Sequence, residues 1–428
     1  MTTTISGIEA LQATLETMQL KEASEDIRKY RSEKFKAFQE MGFPTRVFEE
    51  YKYTPFADLL EKDVDFLSTP EEDQIPANEI QSVIAQDSGN RIVFYNGIYR
   101  PELSLLKEED ADLSVQGGSH GMPSVIQNDP FVLLNEALAE KSLRITAKNT
   151  KVNPVVSIYN FYDFRKRPLF QQPKLEIQVP KNLGLQIVER HYFFGSGALF
   201  QNSLIRADVR ENASLNITKI QNFQADHILV ENVEVNQKKD SRFYINTLSF
   251  AGKVIRNNLS ISQDAEHCES YMNGLFLIGD KTHVDNHTSV DHKFPNSYSD
   301  ELYKGILKDQ ARGVFNGKIF VRPGAQKTNA FQSNNNITLS DKAIINTKPQ
   351  LEIWADDVKC SHGCTIGQLD EDALFYLQSR GIPKKEAAAL LMYAFANNVL
   401  ESVRIPELKT RITKIIANKL GVQLGFEL

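Results

Sequence analysis

The sequence predicts an α+β protein that is mainly β, with a stacked parallel β-helix in the middle and helical parts on either side. Three observations carry this. From about residue 143 to 360, short β-prone runs follow one another at fairly even spacing with little helix between them. Asn, Gly, Asp and Ser punctuate the runs, yet tight hairpin dipeptides are few, which disfavours antiparallel meanders. Both flanks instead carry the three-to-four-residue apolar spacing of helices. A large sandwich is the competing architecture. Asn-rich stretches such as Asn334-Asn335-Asn336 favour the solenoid, whose inner turns let side-chain amides stack and bond neighbouring rungs. The expected division is an N-terminal, mostly helical domain at 1–142, the β-helix at 143–365 and a C-terminal helical domain at 366–428.

In chain order, Ile8, Leu11, Leu15 and Met18 recur at helical spacing. A charge-dense helix follows over 24–38, with Ile27, Tyr30 and Phe38 on one stripe, and Gly42 and Pro44 end it. Residues 43–55 are aromatic-rich without periodicity and read as an arm packed on the body. Residues 60–125 are polar and irregular except at 91–99, where Asn96-Gly97 signals a hairpin. Asp129 as N-cap and Pro130 at the first helical position begin a helix running to about 141. Strands are expected at 185–188, 215–220, 228–235, 243–248, 259–262, 275–278, 318–321 and 351–354. Apolar–polar alternation gives each one buried face. Asp370 can cap a helix over 371–380, with Gly381 at its C-cap. Pro383 opens a second helix, and a third runs from Pro406 to Gly421. Ala387, Leu391, Ala394 and Val399 form an apolar face with small residues. A piece of about sixty residues buries little alone, so it must dock on the β block, on a partner, or both.

Composition narrows the function classes. A net charge of -6 over 428 residues argues against a broad basic face for nucleic acid. No run of eighteen apolar residues exists, so no membrane span is expected, and the N-terminus lacks the pattern of a signal peptide. Three cysteines do not make a disulfide framework, so a reducing, cytoplasmic location is expected. No GxxxxGK[ST], GxGxxG, GxSxG or HExxH stretch announces a nucleotide or hydrolase site.

Cys360, His362 and Cys364 sit at the seam between the β and helical patterns, in what reads as a compact polar turn. Thiol and imidazole suit zinc, iron or iron–sulfur species. If the segment is extended, i, i+2 and i+4 project to one side, facing one metal or one partner surface. No second ligand pair completes a self-contained site, and composition alone favours Cys360 and Cys364 as small buried hydrophobes. His283, Asp285, His287, Asp291 and His292 are a second dense group. Polar residues stacked along a solenoid face are the favoured reading there, over a metal or acid–base site. Cys268, beside His267, reads as buried filler.

Five stretches taken together resemble one known family: ELYKGILKD at 301–309, GVFNGKI at 313–319, AQKTNA at 325–330, NTKPQLEIWADDVKCSHG at 346–363 and LFYLQSRGI at 374–382. They are similar to the SufB/SufD family of the SUF iron–sulfur cluster assembly system, in detail over about 245–400 and more weakly at 44–55 and Asn96-Gly97. The Cys-Ser-His-Gly stretch and the lack of a cysteine-rich N-terminal segment look like the SufD branch rather than SufB. The resemblance implies a right-handed parallel β-helix and a non-catalytic scaffold subunit of a SufBCD complex. It implies heterodimerisation with a SufB-like subunit, and docking of a SufC-like ATPase on the helices around 370–400. Nucleotide chemistry would belong to that ATPase, with none on this chain. By position, Cys360 and His362 correspond to the family's Cys-x-His near the SufB–SufD junction. They are the candidate ligands of a transient iron or iron–sulfur cluster shared with SufB, with His362 the stronger of the two. Cys364 falls where other SufD sequences carry a small residue. The alternatives are a SufB-like scaffold acting as a homodimer, a secreted β-helix lyase, and a brace with no ligand role.

Overall fold

The computed structural model describes residues 7–64, 66, 76–85, 89–117, 121–125, 129–148 and 153–422. The irregular reading of 60–125 and the outer limits of the two flanking domains therefore fall partly outside the described residues. Helices α1 (Gly7–Lys21), α2 (Glu25–Met41), α3 (Phe56–Asp63) and α4 (Ala77–Ile84) come first. Strands β1 (Asn90–Tyr95), β2 (Ile98–Tyr99) and β3 (Ala111–Gly117) and helix α5 (Pro130–Leu138) follow. Next come β4 (Lys141–Ala147), β5 (Val155–Asp163), β6 (Leu169–Gln171), β7 (Lys174–Val179), β8 (Gly184–Phe194), β9 (Leu199–Val209), β10 (Ser214–Asn222) and β11 (His227–Gln237). They are continued by β12 (Arg242–Ala251), β13 (Val254–Gln263), β14 (Glu269–Ile278), β15 (His283–His292), β16 (Tyr298–Leu307) and β17 (Arg312–Val321). The last strands are β18 (Asn329–Thr338), β19 (Ile344–Ile353) and β20 (Lys359–Gly367), before α6 (Glu371–Ser379), α7 (Lys384–Leu400) and α8 (Pro406–Leu420).

The strands build a parallel β-solenoid, as the spacing of the β-prone runs predicts. The first sheet runs β2-β1-β5-β8-β10-β12-β14-β16-β18-β20 and the second β3-β4-β7-β9-β11-β13-β15-β17-β19. Among the described strands, β1–β2 and β3–β4 pair antiparallel and the other pairs are parallel. Glu269 is in register with Tyr298, Tyr298 with Asn329 and Asn329 with Lys359, so one coil takes roughly 30 residues. At one corner six successive coils pass through a left-handed residue: Asn182, Asn212, Asp240, His267, Asn296 and Lys327. Asn and Asp tolerate that conformation because a short polar side chain can bond locally. The corner is laddered, since Asn182 N donates to Glu211 O at 3.0 Å, Asn212 N to Lys239 O at 2.9 Å and Asp240 N to Glu266 O at 3.1 Å.

Helices cover both outer faces. Helices α1, α2 and α5 pack Leu11, Phe38, Phe131 and Leu134 against Phe170, Phe200, Ile228 and Val230 of the second sheet. On the first sheet, Met392, Ala396, Val399, Ile412 and Ile416 of α7 and α8 meet Val188, Ile220, Leu248, Leu275 and Ile306. The C-terminal helices thus dock on the β block, where alkyl burial at about 25 cal/mol per Å2 holds them. Asp129 caps α5 by accepting from Phe131 N at 2.9 Å and Val132 N at 3.2 Å. Buried Arg31 on α2 closes the other end by donating to Ala137 O and Ala139 O at 2.8 and 2.7 Å.

Three sequence expectations are corrected. Strands β9 and β11 are buried on both faces, because helices supply a second apolar layer. Asn334, Asn335 and Asn336 lie within β18 rather than in an inner turn, and the inward pair is linked by Asn336 Nδ2 donating to Asn334 Oδ1 at 2.7 Å. The buried residues of α7 are Ala387, Ala389, Met392, Ala396, Val399 and Leu400, so Ala387 and Val399 of the expected face are buried while Leu391 is half-buried and Ala394 exposed. With Ala and Leu on every side of α7, its sequence spacing does not single out a face.

Candidate functional site

The sheets end at β19 and β20, each paired on one side only. Residues 361–367 of β20 are all exposed. Cys360, His362 and Cys364 lie on this strand, not in a turn as the sequence suggests; β20 is extended because β18 templates it residue by residue. In register, Cys360 stands over Ala330, His362 over Gln332, Cys364 over Asn334 and Ile366 over Asn336. Those four β18 residues are buried and face inward. Side chains alternate along a strand, so Cys360, His362 and Cys364 share the inward parity. His362 and Cys364 are exposed and Cys360 is half-buried, because no further coil closes over them. The opposite wall of this mouth is β19. Thr347, Pro349, Leu351 and Ile353 continue the inward files of Phe315, Gly317, Ile319 and Val321.

The donors are spread along the strand. Alternate Cα atoms stand about 6.6 Å apart and Cys360 is about 13 Å from Cys364, so the three cannot close around one ion. Among the described residues no group of three or more His, Cys, Asp and Glu forms a metal site. One ion could take two neighbouring donors at most, and its remaining positions would need groups from elsewhere. Cys360 is half-buried against Ala330, Leu351 and Val358, and burial pushes its thiol up from the ordinary value. A metal or other cation would be needed to hold it as thiolate at neutral pH. Cys364 and His362 are exposed.

The second histidine group divides by parity. His283, Asp285 and His287 point outward from β15, beneath residues 49–54. Thr54 Oγ1 donates to Asp285 Oδ2 at 2.5 Å and lies 2.9 Å from His283 Nε2. His287 bridges Glu50 at 3.3 Å and Asp285 at 3.0 Å. Arg256, fully buried, bonds Asp285 at 2.6 Å and Glu50 O at 2.9 Å, and stacks 4.4 Å from the Tyr51 ring centroid. Both nitrogens of His287 face carboxylates, so the group straps the aromatic arm to the solenoid, as expected of an arm packed on the body. His292 points inward to Ser299 at 2.9 Å, and burial lowers its imidazole to about 3. Cys268 is buried, its thiol pushed up to about 11 by desolvation, which bears out its reading as filler.

Sequence reasoning missed the polar interior. Lys219 lies inside the solenoid, 3.0 Å from Glu231 and 4.0 Å from Glu189, and burial pushes the Glu189 carboxyl up to about 7. Glu301 and Gln332, beneath His362, are equally buried. The signal for them is a polar residue at inward parity, visible only once the register is known.

Fold and end rung define a class: a parallel β-solenoid with soft donor side chains on a terminal strand whose outer edge is unpaired. The chain belongs to the SufBD family. The family model described as SUF system FeS cluster assembly, SufBD core domain, matches residues 163–395, and that of the SufBD protein N-terminal region matches 9–107. The chain is 29% identical to the iron–sulfur cluster assembly protein SufD of Escherichia coli over 388 residues, covering 89% of this chain and 90% of that protein. It is 28% identical over 398 residues to an iron–sulfur cluster assembly SufBD family protein of Synechocystis sp., covering 88% and 87%. A chloroplastic protein of Arabidopsis thaliana, ABCI7, is 31% identical over 240 residues, covering 55% of this chain and 50% of its own length. Family membership indicates a role in iron–sulfur cluster assembly. No described helix is long and apolar enough to cross a membrane.

Proposed function

We propose that this chain is a SufD-like, non-catalytic scaffold subunit. In this reading it pairs with a SufB-like subunit through the open end of its solenoid, docks a SufC-like ATPase on its C-terminal helices, and works in the cytoplasm. The observation that carries this is the terminal rung. Two sheet edges with unpaired N–H and C=O groups are a template for another chain, and the incomplete donor set Cys360 and His362 lies on the same edge. A partner's last coil would finish the sheets and supply the missing ligands, so that iron or a nascent cluster is cargo held at the junction. His362 is the principal ligand and Cys360 the second.

Helix α6 supports the ATPase part of the reading. None of its residues is buried, and Phe375 and Tyr376 are 72% and 57% exposed, a pair of aromatic anchors without a pocket. Only residues 368–370 separate α6 from β20. Movement of an ATPase bound there is passed directly to the donor strand. Differential binding in the ATPase's two states supplies the free energy.

Native mass spectrometry after anaerobic co-expression with SufB-like and SufC-like subunits tests the assembly. A three-component complex containing this chain is expected. A chain found alone, or only with a second copy, would replace this reading with a self-sufficient scaffold. His362→Ala should lower cluster formation on the complex while leaving its melting temperature unchanged; full assembly activity would remove the ligand assignment.

A further inference from the structure

Directly beneath the donor strand, inside the solenoid, is a carboxyl–amide pair with free ends. Register places Glu301, Gln332 and His362 in one vertical file on the inner face of the first sheet. Gln332 Nε2 donates to Glu301 Oε2 at 2.6 Å. Both residues are only 1% exposed, yet Gln332 Oε1 and Glu301 Oε1 have no hydrogen-bond partner. Thr288, on the opposite sheet, faces Glu301 without reaching hydrogen-bond geometry. Space for the amide comes from across the interior, where Gly317 lies; a Cβ at Gly317 would overlap the Gln332 side chain. A buried carbonyl left unpaired is costly, and such exceptions call for an explanation. Burial pushes the Glu301 carboxyl up to about 7, so the pair need not carry a full charge into the core.

His362, one rung above, is exposed, and its imidazole makes no hydrogen bond among the described residues. Neighbouring rungs stand about 4.8 Å apart, within reach of an amide and an imidazole in register. Ligating histidines generally donate their second ring N–H to a carboxylate or carbonyl, which fixes tautomer and orientation. We propose that Gln332, anchored by Glu301, is a positioning residue for His362: its free carbonyl accepts one imidazole N–H and turns the other nitrogen toward the open mouth. The proposal rests on the reading of His362 as an iron ligand. It adds an internal support that the partner does not provide.

The test uses the full chain with 15N-labelled histidine, anaerobically, with Co(II) as the probe. Variants are Gln332→Leu, Gln332→Glu, Gly317→Ala and His362→Ala, each checked for an unchanged melting temperature. The imidazole nitrogens of His362 should report one tautomer in the unaltered chain and a mixture in Gln332→Leu. Co(II) affinity should fall about 10- to 100-fold in Gln332→Leu, with recovery in Gln332→Glu. Gly317→Ala displaces the amide without removing a donor and should give the same loss if Gln332→Leu fails to fold. An unchanged imidazole spectrum in both Gln332→Leu and Gly317→Ala overturns the proposal, and unchanged Co(II) affinity alongside a loss in His362→Ala overturns it while sparing the ligand reading. If His362→Ala binds Co(II) like the unaltered chain, the ligand reading fails, and the imidazole spectrum alone decides the positioning role.

Discussion

Replacing Arg256 with methionine should release the aromatic arm. Arg256 is the post to which residues 50–54 are tied, through Glu50 O, the Tyr51 ring and, by way of Asp285, Thr54. Its guanidinium and the Asp285 carboxylate are 2% and 1% exposed. Against the desolvation that burial imposes, Arg256 and then His287 hold that carboxyl far below its usual range. Removing one partner of a buried pair strands the other and costs about 3–5 kcal/mol. Thr54 and His287 still reach Asp285, so the lower end applies, about 3 kcal/mol. At 1.4 kcal/mol per factor of ten, that is a rise of roughly a hundredfold in the open population. Arg46 and Lys52 place trypsin sites in the arm. Cleavage there follows the open population while closing outpaces cutting. Initial cleavage rates at these two residues should therefore rise about a hundredfold in Arg256→Met. The double variant Arg256→Met/Asp285→Leu should recover much of the loss, because an apolar pair of similar volume removes the stranded charge. Unchanged cleavage in the single variant, or a double variant as labile as the single, would refute the latch.

Other outcomes follow from the same geometry. The hydrogen bond from His287 and then Lys318 depress Glu50 to about 2 from an ordinary 4.5. Its contribution is therefore complete above about pH 4.5 and is lost as pH falls toward 2; hydrogen exchange in 49–54 should accelerate in that window, and Glu50→Gln should flatten the change. Cys364 should alkylate fastest, Cys360 more slowly and Cys268 only on unfolding, as mass spectrometry of iodoacetamide-treated protein can read. A Cβ at Gly274 would overlap the Tyr303 ring one rung above. Gly274→Ala should thus lower stability by about 1–3 kcal/mol in denaturant melts. Asp129→Ala removes the α5 cap together with the partner of the Tyr51 hydroxyl at 2.6 Å, and should cost about 1–2 kcal/mol.

Local rules made the helix ends legible. Asp370 does accept from Ala373 N at 2.9 Å, and Gly381 and Gly421 do take left-handed backbone after α6 and α8. The solenoid was legible as a succession of strands, yet its repeat was hidden, because what recurs is the corner conformation rather than a residue. Asn182, Asn212, Asp240, His267, Asn296 and Lys327 occupy equivalent corners with four residue types. Any polar side chain meets that need if the backbone bonds around it hold.

The donor strand was misread for a physical reason that bears on its role. Alternation marks a strand when one face meets apolar atoms and the other meets water. At β20 neither condition holds. The inward face looks into an unfinished mouth and the outward face into solvent, so Lys359 to Thr365 carries polar and small residues at both parities and imitates a turn. The same inward parity one rung down is filled by Ala330, Gln332 and Asn334, all buried. Solenoids that stand alone usually end in a capping repeat that covers the last coil and presents a polar outer face. This chain instead leaves a thiol, an imidazole and a second thiol at the level where the next coil would begin. In the function proposed above, this open end is the surface that a partner chain would finish by supplying the next rung.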